Sequence, residues 1–399
     1  MPARRPRGAH GCAPRRARAP RSPATAVDTR RRRGRPMKVA ELRLPSTDAV
    51  SRGVAYGSAL AAPIRETIAR YRDAYEVMGV PDGVAETVAA GSIAAVRAWA
   101  PAIADELEGV ARGADVPIDD VMLLTARTEI LAHAPSANAL ECSTIVALPE
   151  GRRPMTMQTW DWHGELAPTG VLLEVPLADR VVRTFTETGM VGKIGVARTA
   201  DGRGLGVHFN ILHHVSDRSA VGVPVHVVAR RILDEAATLD EAIAIARDAV
   251  VGASTVLTIV EAAVDGGPAR AACVELSPAR VATVEPADGY LAHTNHFLDA
   301  GLAEGEATSD TSTTGPRLEH ALAQRDGALA ATDAVSLAAA MCGDAGADAP
   351  VCVRAQPAAD LADRWETLLT ASLDVEAGAI DWLAGPPSAL DAATVRRFG

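Results

Sequence analysis

The sequence has few aromatic residues, few cysteines and no long hydrophobic run. Phe, Trp and Tyr make up 3% of its 399 residues, so Ala, Val, Leu and Ile must supply most of a core. No uncharged apolar run reaches the ~18 to 20 residues that cross a bilayer. We therefore expect a soluble protein with no membrane partner, folded as one large domain or as two closely packed halves.

The cysteine pattern argues against cross-links and metal binding. The five cysteines are Cys12, Cys142, Cys273, Cys342 and Cys352, an odd number without CxxC spacing. No secretory signal precedes them, so a disulfide framework or a zinc site is not expected. We predict reduced thiols in a cytoplasmic protein that needs no cofactor.

Positive charge is concentrated at one end of the chain. Residues 1–36 contain twelve arginines and one acidic residue, Asp28, and almost no large apolar residue, so we expect this head to be disordered. The rest of the chain carries roughly twenty negative charges in excess, which argues against nucleic acid as a partner. The head could be a targeting signal, a nucleic-acid or membrane tether, or an upstream stretch if translation starts at Met37. We favour the last interpretation.

The chain changes character at Cys142. From about Ser46 to Leu131 the apolar residues have a helical period. Residues 132–141, AHAPSANALE, break that pattern with proline and small polar residues, which predicts a surface loop. After Cys142, short runs of β-forming residues alternate with Gly, Pro and Asp turns.

This order predicts an α+β fold of two stacked, mainly antiparallel sheets with helices outside them. It does not show the alternation of strand and helix that marks a parallel sheet. Beyond the first strands, helices are predicted at 225–234, 239–250, 317–323 and 334–341, and late strands near Val351, at 368–374 and at 379–383.

Two short motifs carry polar residues that could do chemistry. In MQTWDWHG, residues 157–164, Asp161 lies between two tryptophans, either as a shielded carboxylate or as a solvated residue beside a Trp cluster. In AHTNHF, residues 292–297, the Asn295 amide could sit beside an oxyanion or belong to an ordinary turn. His293 and His296 lack a third metal ligand at short spacing, so no metal is expected.

Four motifs in order resemble one known family. They are Cys142-Ser143-Thr144, Trp160-Asp161-Trp162, TETGMVGKIGV from Thr186 to Val196, and the HTNHF stretch from His293. Together they resemble the isopenicillin N acyltransferase family of N-terminal nucleophile hydrolases, from about Met37 to the C-terminus. The resemblance implies a four-layer αββα sandwich, made as a precursor that cuts itself before Cys142. An α chain, 37–141, and a β chain, 142–399, would stay associated.

The resemblance also implies a role for several residues. An N-terminal cysteine carries its own base, because its α-amine has a pKa of ~7.7 to 8.0 and can take the thiol proton. Cys142 matches the nucleophile, Asp161 the residue that holds the new α-amine, and Asn295 the oxyanion amide. Thr144 matches a hydroxyl residue that helps the cut. For the late arginine of the family we select Arg364, with Arg354 and Arg317 as alternatives.

The expected activity is that of a self-processing cysteine amidohydrolase or acyltransferase. Its substrate would be a small N-acyl amide or an acyl thioester such as an acyl-coenzyme A. Glu141 stands where the founding enzymes often have glycine, and Thr159 where they have asparagine. A non-cleaving binding or scaffold protein of the same fold is the alternative, and a thiol redox protein is a third reading that lacks a nearby resolving cysteine.

Overall fold

Two β-sheets stack face to face in the computed structural model. The model describes residues 37–134, 142–264, 266–309, 311–355 and 364–399. The Arg-rich head, the junction before Cys142 and the interval 356–363 lie outside the described residues, so the predictions made for them stay predictions.

The larger sheet contains eight strands within the described part of the chain. Its neighbouring strands are antiparallel except at one edge, where β1 runs parallel to β4 and pairs Lys38 with Thr169 through Arg43 with Glu174. In spatial order the strands are β1 (Lys38–Arg43), β4 (Thr169–Pro176), β5 (Arg180–Glu187), β6 (Ile194–Thr199), β7 (Gly204–Ile211), β8 (Thr255–Glu261), β9 (Arg270–Leu276) and β10 (Val281–Val284).

The smaller sheet is antiparallel and has six strands among the residues described. Two neighbouring interior strands, β2 and β3, are buried at every position. In spatial order the strands are β11 (Tyr290–His293), β2 (Cys142–Ala147), β3 (Met155–Trp162), β12 (Glu366–Asp374), β13 (Ala379–Leu383) and β14 (Arg396–Phe398).

Helices cover the outer face of both sheets. On the larger sheet, α7 (Val225–Glu235) contacts β5 to β7, and α8 (Leu239–Asp248) contacts β8 and β9. On the smaller sheet, α10 (Thr314–Ala323), α11 (Arg325–Ala330) and α12 (Ala334–Cys342) contact β2, β3 and β11. A short helix, α9 (Ala300–Ala303), precedes them. The order of layers is helix, sheet, sheet, helix, which confirms the predicted αββα sandwich.

Six helices lie before Cys142 in the described part of the chain. The described helices before it are α1 (Ala49–Ala59), α2 (Ala61–Val77), α3 (Val84–Trp99), α4 (Pro101–Ala114), α5 (Ile118–Thr125) and α6 (Arg127–Leu131).

Glycines let α1 and α4 touch through their main chains. A methyl group at Gly53 would overlap the Glu106 carbonyl oxygen, and one at Gly57 would overlap that of Val110. Gly109 and Gly113 face α1 in the same way. Because neither helix presents a side chain at these four positions, the two axes approach more closely than larger residues allow.

Most predicted elements form, with some differences. Val351 lies in a turn, so the strand expected near it is wrong. Strands β1 and β14 were not foreseen, because each is short and pairs at the edge of a sheet with a distant or late segment. Among the described residues no helix is both long enough and apolar enough to cross a membrane.

Candidate active site

Cys142 is the first residue of β2 and faces the other sheet. It is 4% exposed and stands opposite Trp160 in the register of β2 with β3. Thr144, two residues on and therefore on the same face, donates from Oγ1 to Asn210 Oδ1 of β7 at 2.7 Å. The thiol thus belongs to the interior layer between the sheets.

Asn295 receives the main-chain N–H of Cys142. That N–H donates to Asn295 Oδ1 at 2.6 Å, and Asn295 Nδ2 donates to the Ile211 carbonyl at 2.8 Å. Thr314 Oγ1 accepts from the Asn295 backbone N–H at 2.8 Å, and Thr308 Oγ1 donates to its carbonyl at 3.0 Å. The amide is fixed from both sides, and its second N–H is the one that could serve an oxyanion.

Arg317 clamps the other side of Cys142. Its Nη1 donates to the Cys142 carbonyl at 2.5 Å and to Ser143 Oγ at 3.1 Å, and its Nη2 donates to Asn295 Oδ1 at 3.0 Å. The side chain is fully buried on α10, which packs against β2. The planar guanidinium therefore ties the nucleophile candidate to the amide candidate.

The other two arginines considered lie away from this group. Arg364 pairs with Glu165 at 2.7 Å and is 28% exposed, and Arg354 donates to the Ala347 carbonyl at 2.7 Å on the surface. The structure therefore does not bring Arg364, the first choice from sequence, to Cys142. It brings the alternative, Arg317, to Cys142. Arg317 lies on α10, and its distance along the sequence from the late strands does not reveal this position.

Asp161 lies beside the thiol at the end of β3. It is fully buried. Burial, followed by the charge of the Asp161 carboxylate, raises the pKa of the Cys142 thiol to about 11, against the opposing charges of Lys193 and Arg317. The thiol is therefore protonated near neutral pH.

A layer of buried amides links the two sheets next to Cys142. Gln158 Nε2 and Thr144 Oγ1 both reach Asn210 Oδ1, at 3.2 and 2.7 Å, and Asn210 Nδ2 donates to the Thr294 carbonyl at 3.2 Å. Sequence analysis missed Asn210 and Gln158. The only signal for them was their position as buried amides within strands, which becomes informative once the sheets are paired.

The histidines of the HTNHF motif have protein partners. His293 Nε2 lies 2.8 Å from Glu275 Oε1, and His296 Nδ1 lies 2.8 Å from Thr314 Oγ1. Within the described ranges no group of three or more His, Cys, Asp or Glu side chains could hold a metal ion. Both rings help to fix the loop that carries Asn295.

A cavity of about 510 Å³ lies apart from this group. It opens between α3, α6 and the loop before α7, and Ser92, Glu129, His133 and Arg218 are among its lining residues. Cys142 is not among its lining residues.

A family model matches this chain over residues 148–389. The matched family is acyl-coenzyme A:6-aminopenicillanic acid acyl-transferase, and the match includes Asp161, Asn295 and Arg317 but begins after Cys142. A relative from Emericella nidulans, the 40 kDa form of acyl-coenzyme A:6-aminopenicillanic-acid-acyltransferase, is 26% identical over 235 residues. That alignment covers 57% of this chain and 61% of the relative, which is less than two thirds of the relative's length.

Two solved structures are also similar. A variant of the conjugated bile acid hydrolase of Clostridium perfringens is 11% identical, with a TM-score of 0.45 over 64% of this chain and 92% of that one. The Caenorhabditis elegans ortholog of N-acylethanolamine-hydrolyzing acid amidase is 13% identical, with a TM-score of 0.36 over 65% of this chain and all of that one. On the extent of the family match, this chain belongs to the acyl-coenzyme A:6-aminopenicillanic acid acyl-transferase family.

Proposed function

We propose that this protein is a self-processing cysteine amidohydrolase or acyltransferase that uses Cys142 as its nucleophile. The observation that carries the proposal is the pair of polar contacts made to the main chain of Cys142, one on each side of the residue. Asn295 accepts the Cys142 N–H and Arg317 binds the Cys142 carbonyl. A buried cysteine that serves only packing does not need two buried polar side chains hydrogen-bonded to its main chain.

The first reaction is the cut before Cys142. The sulfur attacks the carbonyl carbon of residue 141, and the C–N bond breaks as the nitrogen takes up the thiol proton, which leaves a thioester. Water then hydrolyses the thioester and restores the thiol. The freed nitrogen becomes an α-amine at the position that now lies 2.6 Å from Asn295 Oδ1.

The new amine supplies a base for the thiol, which the uncut chain lacks. The thiol of the uncut chain is protonated because burial raises its pKa to about 11. An α-amine with a pKa of ~7.7 to 8.0 can accept the thiol proton at working pH. Arg317 and Asn295 then hold the amine and thiol in the geometry that existed before the cut.

The second reaction is acyl transfer from a small amide or thioester. The thiolate attacks the acyl carbon, the leaving amine or thiol takes a proton from the α-ammonium, and a thioester to Cys142 forms. Water or a second amine then accepts the acyl group. The second N–H of Asn295 Nδ2 is our candidate donor to the oxyanion, a contact whose loss costs ~2.7 to 4 kcal/mol of barrier in known cases.

Family membership supports acyl chemistry, and the substrate class follows from the family rather than from a bound molecule. The family is described by an acyl-coenzyme A donor and a 6-aminopenicillanic acid acceptor. For this chain we propose the coarser class, a small N-acyl amide or acyl thioester. The partners of the mature protein would be that substrate and the two chains of one precursor.

The test is the intact mass of freshly purified protein. The proposal predicts two fragments, the larger of which begins at Cys142, and a single uncut chain for Cys142→Ala. A panel of acyl amides and acyl-coenzyme A thioesters should acylate Cys142 in the processed protein. A single band that persists in the wild type, identical to Cys142→Ala, would instead support a non-cleaving binding protein.

A further inference from the structure

A buried lysine lies on the same face of the smaller sheet as Cys142. The Nζ atom of Lys193 is 3.6 Å from the centre of the Trp160 ring, and the side chain is 1% exposed. Trp160 is the cross-strand partner of Cys142, and directly opposed residues in a sheet project their side chains from the same face. The ammonium and the thiol therefore flank one aromatic ring.

The lysine is not needed to neutralise the carboxylate beside it. Glu187 Oε1 already accepts from Arg127 Nε at 2.9 Å and pairs with Arg127 Nη2 at 2.8 Å, and Tyr71 donates to Oε2. Lys193 Nζ stands farther away, 3.5 Å from Glu187 Oε1, beyond the usual hydrogen-bond length. Two cations thus face one carboxylate.

The remaining groups around the lysine are neutral near pH 7. Burial raises the pKa of Tyr71 well above its usual value and lowers the pKa of His226 on α7 well below its usual value. Burial also lowers the pKa of Lys193 itself to about 7, although Glu187 opposes the shift. Arg127 and Lys193 therefore carry two positive charges against the one carboxylate of Glu187 until Lys193 loses its proton. The Asp161 carboxylate lies on the side of the thiol and opposes its ionisation.

The choice of lysine is unusual for this chain. Of its 40 basic residues, two are lysines, Lys38 and Lys193, and the rest are arginines. Arginine stays charged at any working pH, whereas a buried lysine can release its proton. A site that needed only a permanent positive charge could have used the residue that this chain uses almost everywhere else.

We propose that Lys193 is a positioning residue that holds a positive charge beside the Cys142 thiol and so favours its thiolate form. The inference rests on the proposed role of Cys142 as nucleophile and adds the residue that tunes it. Lys193 does not touch the acyl group in this scheme. It acts through the charge that it places against the Trp160 ring.

The test measures thiol ionisation without turnover. Cys142 is alkylated with iodoacetamide across a range of pH, and the modified peptide is quantified by mass spectrometry, which separates it from the other cysteines. In this reaction sulfur displaces iodide from carbon and its proton goes to solvent. Lys193→Met should slow alkylation of Cys142 about tenfold at pH 6, where Lys193 is charged, since one pKa unit is tenfold in thiolate. Well above pH 8 the two curves should converge. Lys193→Arg should restore the wild-type rate.

A second measurement does not depend on a variant that folds. Lysine labelled with ¹³C at the ε carbon gives two signals in this chain, one each for Lys193 and the exposed Lys38. The Lys193 signal should titrate near pH 7, and the difference in alkylation rate between wild type and Lys193→Met should disappear over the same pH range. Lys38→Met is the matched control and should leave the alkylation curve unchanged.

Two results would overturn the inference. One is an alkylation curve for folded Lys193→Met that superimposes on the wild type. The other is a difference in alkylation rate that persists far above the pH at which the Lys193 signal titrates. The curves are compared between proteins with the same fragment masses, so failure of this inference is distinguishable from failure of the proposed function, which those masses report.

Discussion

The helical block before Cys142 and the sheets after it bury polar groups in different ways. In the helices, Glu106 of α4 is buried between Arg52 and Arg230, with Oε2 2.6 Å from Arg52 Nε and 2.9 Å from Arg230 Nη2. Between the sheets next to Cys142, neutral amides such as Gln158 and Asn210 bond to each other and to Thr144. Changes in the first region should therefore alter stability, whereas changes in the second should alter chemistry.

The largest effect should come from removing the thiol. Cys142→Ala should abolish processing and acyl transfer, a loss of roughly 10⁴-fold or more, because no other group takes its place. Its melting temperature should stay close to that of the wild type. A variant that remained active in a mass-spectrometric acylation assay would contradict the comparison.

The next effect separates the two arginines. Arg317→Met removes the donor to the Cys142 carbonyl and to Asn295 Oδ1 and should lower kcat/KM by roughly 10²- to 10³-fold, as loss of a site donor does elsewhere. Arg364→Met removes only a surface pair with Glu165 and should change kcat/KM little. Equal losses in both variants would argue against Arg317 as the family arginine.

In the helical block the expected change is in stability. Glu106→Gln leaves Arg52 and Arg230 buried without their carboxylate and should lower the free energy of unfolding by about 3 kcal/mol. The control is Glu235→Gln, which breaks an exposed pair with Arg231 and should cost at most about 0.5 kcal/mol. Denaturant unfolding measures both, and processing by the folded fraction should persist in each.

Close helix packing gives a somewhat smaller effect. Gly57→Ala forces a methyl group against the Val110 carbonyl of α4 and should cost about 2 kcal/mol. Gly315→Ala is the matched control, because a methyl group there meets no atom within 4 Å. That variant should be neutral or slightly more stable. Similar melting temperatures for the two alanine variants would show that α1 and α4 can separate without cost.

The last expected effect is a pH dependence at the border of the two regions, smaller per pH unit than either substitution above. Glu129 of α6 accepts the Val225 N–H of α7 at 2.8 Å, and burial raises its pKa to about 7 from 4.5. Between these values the folded chain binds more protons than the unfolded chain, so stability falls as pH rises, by at most ~1.4 kcal/mol per pH unit. In Glu129→Gln, melting curves between pH 5 and 8 should lack this slope.

The sequence predicts local structure better than it predicts contacts between residues that are distant along the chain. Strand β2 was expected from Ser143 and begins one residue earlier, and the helix after Thr238 has the expected cap, with Thr238 Oγ1 accepting from the Glu241 N–H. Such elements depend on neighbouring residues. Their order and the family resemblance were enough to predict the sandwich.

Relations between distant residues were harder to predict. Arg317 and Arg364 both precede late strands, and only the packing of α10 on β2 places one of them beside Cys142. The amide layer depends on the pairing of two separate sheets. The charge excess around Lys193 depends on Arg127 from the helical block reaching Glu187 in the larger sheet. None of these contacts leaves a periodic signal in the chain.

Strand β1 has a consequence for the two pieces that a cut before Cys142 would create. It lies in the first piece, yet its backbone is hydrogen-bonded to β4 in the second, from Lys38 to Arg43. To separate the pieces, a denaturant would have to break the hydrogen bonds between β1 and β4 as well as expose the packed faces of the helices. For the same reason, the two pieces should associate when they are produced separately and refolded together. The chain would then behave as a natural split protein.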